Sequence, residues 1–515
     1  MNKKIVLMIA LLLLTPMVAV GVPRVSAPPE EILKIGVLVP YNLPQGHAHL
    51  GGAEGGALLA AREINVTGIN IGGTIYKIVL YFEDEGAFPL DERKAYNNTW
   101  KLLEKGCKII IGGFRTECTW KIIDAIEDWN AGLSDEEKVI YFINGASTDQ
   151  LCSQTVGVDY ERYKWLFRIN PINSTMLFKN MLGWLQGYLI PMKLAPLYGG
   201  NVKFAYIMEQ LKWTEGIEWW LTNYGLGPYA TLVYGVRTAA GTDNFVPYLE
   251  EANDTGARLI VTAYTLPDAQ YLIRQWREFQ YPFVIAGIDV FAQCRLYVVW
   301  TGGACEYEMT EDFAGTRTPI TPLAVKFWDN FVGNFTSPGY PPAWPVYTAW
   351  GAYNAFIVLK KALETAGTLN SSRIIEVLEA QETDLLNGKG KFTSIHDVYS
   401  LSSGPVWPDG YTRAMFVQWV NKEGVGLVKE VVCPIDQVYS RKVKLPPWVY
   451  ELSDWDLNFD GVIDIRDISA AGRAFGSTPG TSRWNVEADI NLDAVIDIRD
   501  ISAIGRKFGR TATPR

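Results

Sequence analysis

Two rhythms of apolar residues run along this chain. Short unbroken apolar runs, of which residues 33–39 are the first, alternate with stretches in which apolar side chains return every three or four positions. A short apolar run bounded by polar residues suits a buried strand, and the 3.6-residue return suits a helix with one buried face. Strands are predicted at 33–39, 75–83, 108–111 and 139–144, with helices near 56–64, 91–104 and 119–129 between them. Past Pro171 the alternation restarts, with strands at 202–207, 230–233, 258–263 and 283–286 and helices near 215–223, 245–252 and 268–279. Such alternation makes a doubly wound α/β layer with a largely parallel sheet, and two successive sets imply two lobes. Further helices are expected at 347–366 and 372–380, and a closing hairpin at 414–420 and 426–432.

The first residues break this pattern. Lys3 and Lys4 precede an apolar run from Ile5 to Val20, and Val25-Ser26-Ala27 stands ahead of a polar stretch. This reads as a secretory signal peptide over 1–27, so the rest is expected outside the cell or at its surface. The run is short of the roughly 20 residues that span a bilayer. No later segment has 18 consecutive apolar residues, and no Cys follows the run where a lipid would attach.

Composition narrows the function classes. The 515 residues are 48% hydrophobic, enough for two or three cored domains, and the net charge of −9 makes nucleic acid an improbable partner. Eighteen Trp and 26 Tyr suit contacts to sugars or amino acids and equally suit core packing. Six Cys (107, 118, 152, 294, 305 and 433) in an exported chain favour some disulfides, with Cys294 and Cys305 near enough to close a local loop. There is no CxxC pair for zinc or redox chemistry. No GxSxG, HExxH, P-loop or GxGxxG occurs, and His47, His49 and His396 are the only histidines, so no enzyme site is legible. Sequons at Asn65, Asn97, Asn173, Asn253, Asn334 and Asn370 permit glycosylation in a competent host.

Beyond a linker expected around 442–448, with Pro446-Pro447, the chain repeats itself. Asp456-Leu-Asn-Phe-Asp-Gly-Val-Ile-Asp-Ile-Arg-Asp-Ile-Ser-Ala returns as Asp489-Ile-Asn-Leu-Asp-Ala-Val-Ile-Asp-Ile-Arg-Asp-Ile-Ser-Ala. Oxygen-bearing side chains fall at loop positions 1, 3, 5, 9 and 12: Asp456, Asn458, Asp460, Asp464 and Asp467, then Asp489, Asn491, Asp493, Asp497 and Asp500. Calcium takes six to eight oxygens at about 2.3–2.6 Å, and this spacing wraps them round one point, with the backbone carbonyls of Val462 and Val495 at position 7. Position 6 is Gly461 in the first loop and Ala494 in the second, where a left-handed backbone costs Ala roughly 1–2 kcal/mol. Two calcium sites are expected, the second weaker. With helices expected behind the loops at 468–475 and 501–508, residues 454–512 resemble a type I dockerin. The resemblance implies a small α-helical duplicated calcium-loop domain that docks into a cohesin through Ile465, Arg466, Arg473, Ile498, Arg499 and Arg506. A calcium module packed on its own chain is the other reading.

Leu33-Lys-Ile-Gly-Val-Leu-Val-Pro, Gly56-Ala-Leu-Leu-Ala-Ala-Arg-Glu-Ile-Asn and Ile110-Ile-Gly-Gly-Phe resemble the opening of the leucine/isoleucine/valine-binding family over about 33–440. The resemblance implies a two-lobed type I periplasmic-binding-protein fold, with lobe 1 at 33–168 and 319–395, lobe 2 at 169–318 and 396–440, a linker at 441–453, and a ligand clamped between the lobes. By the same resemblance Thr116, Gly145 and Ser147 face a ligand carboxylate, Trp213 covers the ligand, Tyr264 follows the next strand, and Asp289 pairs with an α-ammonium. The implied function is solute capture for the membrane permease of an ABC transporter, without catalysis. An amino acid is favoured; an oligosaccharide, or a sensor without transport, are the alternatives.

Overall fold

The computed structural model describes residues 30–41, 51–169, 173–314, 316–335, 343–398, 415–422, 424–433 and 441–514. The expected signal peptide, His47 and His49 lie outside these.

The first apolar runs form a six-stranded sheet: β1 (Glu30–Val39), β2 (Ile69–Ile71), β3 (Thr74–Asp84), β4 (Ile109–Gly112), β5 (Ile140–Ile143) and β6 (Leu166–Arg168), in the order β2-β3-β1-β4-β5-β6. All pairings are parallel except the short β2–β3 edge. Helices α1 (Ala53–Thr67), α2 (Glu92–Glu104) and α3 (Thr116–Asn130) connect the strands. Asp91 caps α2 by accepting from the Lys94 amide at 3.0 Å. The second set forms a seven-stranded sheet from β7 (Val202–Glu209), β8 (Ala230–Thr238), β9 (Leu259–Tyr264), β10 (Val284–Asp289) and β11 (Met309–Asp312), closed at one edge by the expected hairpin.

The chain returns to the first lobe after β11. Two long helices, Pro322–Asn334 and Tyr347–Ala366, and a third, Ser371–Ala380, pack on the first sheet and share its core. A small antiparallel ribbon, β12 (Glu382–Leu385) and β13 (Gly388–Lys391), follows before the hairpin strands β14 (Met415–Lys422) and β15 (Gly426–Cys433). Residues 396–398 pair with the edge of β6, the Arg168 amide donating to His396 O and the Val398 amide to Arg168 O, so lobe 1 extends past the expected boundary at 395. Trp165, Trp184, Trp276 and Trp419 are among the largest fully buried side chains, which assigns them to packing.

Two expectations are corrected. All six cysteines are free and buried, each filling its own place in a core as a small apolar side chain. The segment expected to be a linker is a strap fixed to lobe 2. Val443, Leu445, Val449, Tyr450 and Leu452 are at most 1% exposed. Gln418 brackets Lys444, donating to its carbonyl at 2.7 Å and accepting from its amide at 2.8 Å. The Trp448 ring lies under the Arg277 guanidinium and its indole N–H donates to Tyr281 O at 3.1 Å. Apolar burial outweighs the stiffness that Pro446-Pro447 suggests.

The C-terminal module continues that core, with Phe459, Ile463, Trp484 and Ile496 in one cluster with the second sheet. Its clasp comes from a π-helix at Leu185–Leu194, where Pro191 lacks the N–H an α-helix needs. From it the Lys193 ammonium reaches Glu487 at 2.5 Å and the Tyr188 hydroxyl donates to Glu487 at 2.7 Å. No helix among the described residues is long and apolar enough to cross a membrane.

Candidate functional site

The strand ends of the two sheets face each other across about 540 Å³ of space free of protein atoms and partly open at its mouth. Lobe 1 lines it with Phe114, Arg115, Thr116, Gly145, Ser147 and Tyr347. Lobe 2 contributes Leu211, Trp213, Ile288, Gln293, Glu311 and Phe313. Four of the six expected ligand contacts, Thr116, Gly145, Ser147 and Trp213, are therefore brought together.

The lobe 1 wall is two turns at the ends of β4 and β5. The Ala146 amide donates to Gly113 O at 2.7 Å, and a Cβ on Gly145 would lie 2.8 Å from that same oxygen, so the close approach requires glycine. A buried acid braces the first turn. The Glu85 carboxylate accepts from the amides of Gly113 (3.1 Å), Phe114 (2.9 Å) and Arg115 (3.3 Å). Burial pushes Glu85 up to about 8 in spite of these donors. With those amides used internally, the turn offers a ligand the Arg115 guanidinium and the Thr116 hydroxyl at the start of α3.

Across the cavity, the Trp213 indole N–H donates to Glu209 at 2.6 Å, and Glu209 also accepts from the Leu266 amide and the Thr265 hydroxyl. Burial raises Glu209 to about 7, with these hydrogen bonds and the Arg115 charge facing it pulling the other way. These bonds fix the Trp213 ring over the space.

Tyr264 and Asp289 do not line the cavity. The Tyr264 hydroxyl is buried 2.8 Å from that of Thr238. Successive side chains on a strand point to opposite faces. Ile288 and Val290 take the cavity face, and Asp289 takes the other, accepting from the amides of Phe291 and Ala292 and from the Tyr297 hydroxyl at 2.7 Å. Glu308 stands beside it, pushed well above the ordinary carboxylate range by burial and by the Asp289 charge. Arg115, Gln293, Glu311, Phe313 and Tyr347 are among the lining residues that sequence reasoning missed.

These acids make folding pH-dependent. A carboxyl raised on folding contributes stability that is complete below its unfolded value of 4.5 and is lost as pH rises through its folded value. Stability of the ligand-free protein is expected to fall between pH 5 and 8, as Glu209 and then Glu85 titrate. Glu85→Gln is expected to flatten the upper part of that decline, as thermal melts across the range will show.

Residues 32–399 match the sequence profile of a periplasmic binding protein family. The chain belongs to that family. Its members bind ligands and are not enzymes. No curated protein matches the sequence. Among solved structures, this family member is similar to the leucine-, isoleucine-, valine-, threonine- and alanine-binding protein of Brucella ovis in its closed conformation. That match has 15% identity and a TM-score of 0.60 over 78% of this chain and 94% of that one. It is also similar to the branched-chain amino acid transporter substrate-binding protein of Streptococcus pneumoniae in complex with isoleucine (18% identity, TM-score 0.59, 78% and 100% covered). A solute-binding protein of an ABC transporter from R. palustris in complex with benzoate matches at 14% identity and TM-score 0.56, covering 78% and 95%. At these identities the likeness is one of fold.

Outside the family match, the two C-terminal loops of this binding protein share one backbone course. Phe459 and Gly461 take positive φ values of 56° and 87°, and Leu492 and Ala494 take 60° and 66°. Asp456 and Asn458 both accept from the Asp460 amide, and Asp489 and Asn491 from the Asp493 amide, so positions 1 and 3 converge. Asp464 and Asp497 cap helices at Ile465–Arg473 and Ile498–Gly505 that begin earlier than expected, and their amides donate back to Asp467 and Asp500. Among the described residues no three His, Cys, Asp or Glu side chains form a compact metal cage. In each loop an arginine holds two carboxylates: Arg466 pairs with Asp460 and Asp464, and Arg499 with Asp493 and Asp497. Ile465 and Ile498 are 62% and 63% exposed, and Arg466, Arg473, Arg499 and Arg506 are exposed with them, away from the face docked on lobe 2.

Proposed function

We propose that the protein is the exported receptor of an uptake system, capturing an amino acid or a closely related carboxylate between its lobes and presenting it to a membrane permease. The observation that carries this reading is the interlobe cavity, with cation and hydroxyls on one wall and indole and acid on the other. Pockets that mix apolar walls with a few convergent polar groups suit small ligands. Isoleucine in one structural neighbour and benzoate in another share a carboxylate and an apolar body, and both suit such walls. A thermal-shift screen of the full chain against amino acids, amides, aromatic acids and small oligosaccharides tests the reading, because a ligand that binds only the folded state raises the melting temperature. A response to sugars alone, or to nothing, would remove it.

The C-terminal module is the second part of the proposal. Asp456, Asn458, Asp460, Val462, Asp464 and Asp467 would hold one calcium ion, and Asp489, Asn491, Asp493, Val495, Asp497 and Asp500 another. The ion would supply the positive charge that two buried carboxylates per loop call for, and Arg466 and Arg499 would have to release their acids to it. Titration calorimetry is expected to resolve two sites, the second weaker, with Ala494→Gly narrowing the gap by about 1 kcal/mol. Equal affinities in the unaltered protein would contradict this. The exposed Ile465, Arg466, Arg473, Ile498, Arg499 and Arg506 would then meet a cohesin and tether the receptor to a surface assembly. Failure of the calcium-loaded full chain to bind any type I cohesin domain would remove the tethering role.

A further inference from the structure

We propose that Glu311, rather than Asp289, is the acid that receives a ligand's ammonium group, and that Arg115 receives its carboxylate, so that the cavity selects α-amino acids with an apolar or aromatic side chain. This rests on the reading of the cavity as a solute site and deepens it.

Glu311 sits on β11 and lines the cavity while only 1% exposed. One of its carboxylate oxygens accepts from Asn180 Nδ2 at 3.1 Å, and the other, Oε2, finds no partner among the described residues. Arg115, on the opposite lobe and 7% exposed, donates from Nη1 to Ala87 O at 3.3 Å, but its Nε likewise finds no acceptor among the described residues. The nearest acid, Glu117, stands 3.9 Å from that Nε, beyond hydrogen-bonding distance. A buried polar atom without a partner is costly, and here one acid and one base carry such atoms on facing walls.

The competing groups are already engaged. Glu85 takes the amides of the Arg115 turn, Trp213 and Thr265 take Glu209, and Tyr297 takes Asp289. What remains is the buried Glu311, the Arg115 guanidinium with the Glu117 carboxylate 3.9 Å from its Nε, and the Thr116 and Ser147 hydroxyls, set among apolar walls. A zwitterion with an apolar side chain would satisfy both charges while keeping the cavity neutral overall. Burial holds Glu311 well above the ordinary carboxylate range. Burial thus favours the protonated carboxyl in the empty cavity, and forming the ion pair is expected to release a proton to the buffer.

The test uses the full-length chain at neutral pH in calorimetry with L-leucine, L-phenylalanine, 3-phenylpropanoate and 2-phenylethylamine. The unaltered protein is expected to bind at least one of the two amino acids with an enthalpy that varies with the ionisation heat of the buffer. Glu311→Gln, which keeps the Asn180 contact, is expected to weaken amino acid binding by about 30-fold or more and to abolish the buffer dependence, while leaving 3-phenylpropanoate within about threefold. Arg115→Met is expected to weaken both acids. Amino acid binding unchanged by Glu311→Gln, or 3-phenylpropanoate held as tightly as phenylalanine by the unaltered protein, would overturn the assignment and leave the solute-binding reading standing. Binding of none of these four, nor of the amides, aromatic acids and oligosaccharides of the thermal-shift screen, would overturn both.

Discussion

Lys193→Met is expected to loosen the C-terminal module from lobe 2, at a cost of about 3 kcal/mol. Lys193 is only 2% exposed, and its ammonium meets Glu487 at 2.5 Å and lies 4.2 Å from the centre of the Phe459 ring. Burial pushes the Glu487 carboxyl up, but Lys193, with Tyr188 and Lys442, outweighs that and holds it below its ordinary value. Removing the cation leaves an acid facing a mostly apolar joint, and unpairing one partner of a buried pair costs far more than exchanging both. The double variant Lys193→Met with Glu487→Met is accordingly expected to recover most of the loss, which a double-mutant cycle measures. The single variant should show a separate early calorimetric transition and rapid proteolysis within 441–455. A strap as resistant as that of the unaltered protein would contradict this account.

The second large effect is expected at Arg168, which is fully buried and forked onto Asp397, Nε to one oxygen at 2.5 Å and Nη2 to the other at 2.6 Å. Its Nη1 donates to Thr148 O at 2.8 Å and, more weakly, to Ala146 O at 3.4 Å, which pins the turn that carries Ser147. Arg168→Met strands Asp397 with only Asn173 and loses the carbonyl contacts, a loss of about 3–5 kcal/mol in chemical denaturation. Arg168→Lys is expected to restore only part of this, since an ammonium cannot span both carboxylate oxygens and the carbonyls together. Solute affinity should fall with it, because Ser147 loses its support. Stability within about 1 kcal/mol of the unaltered protein would show that the fork is not structural.

The alternation of strands and helices was legible because the strands of parallel sheets are apolar on both faces, as in 109–111 and 259–261. The strand Met309–Asp312 was not, since Glu-Met-Thr-Glu-Asp has no apolar run, and with it Glu311 escaped notice. Asp289 misled for a related reason. The residue type suits an ammonium, but strand alternation aims Ile288 and Val290 at the cavity and Asp289 behind it. Arg115 was legible only as a charge in a glycine-rich turn, and its bearing depends on Glu85, which is distant in sequence. The strap at 441–453 shows how Pro446-Pro447 suggests a spacer while Leu445, Trp448, Val449 and Tyr450 decide the outcome by burying themselves.

Among the described residues the strap and the clasp at Glu487 fasten the C-terminal module to lobe 2, so a pull on that module enters the fold through the second sheet and its helices. Tension on the module is therefore expected to load the second sheet before the first.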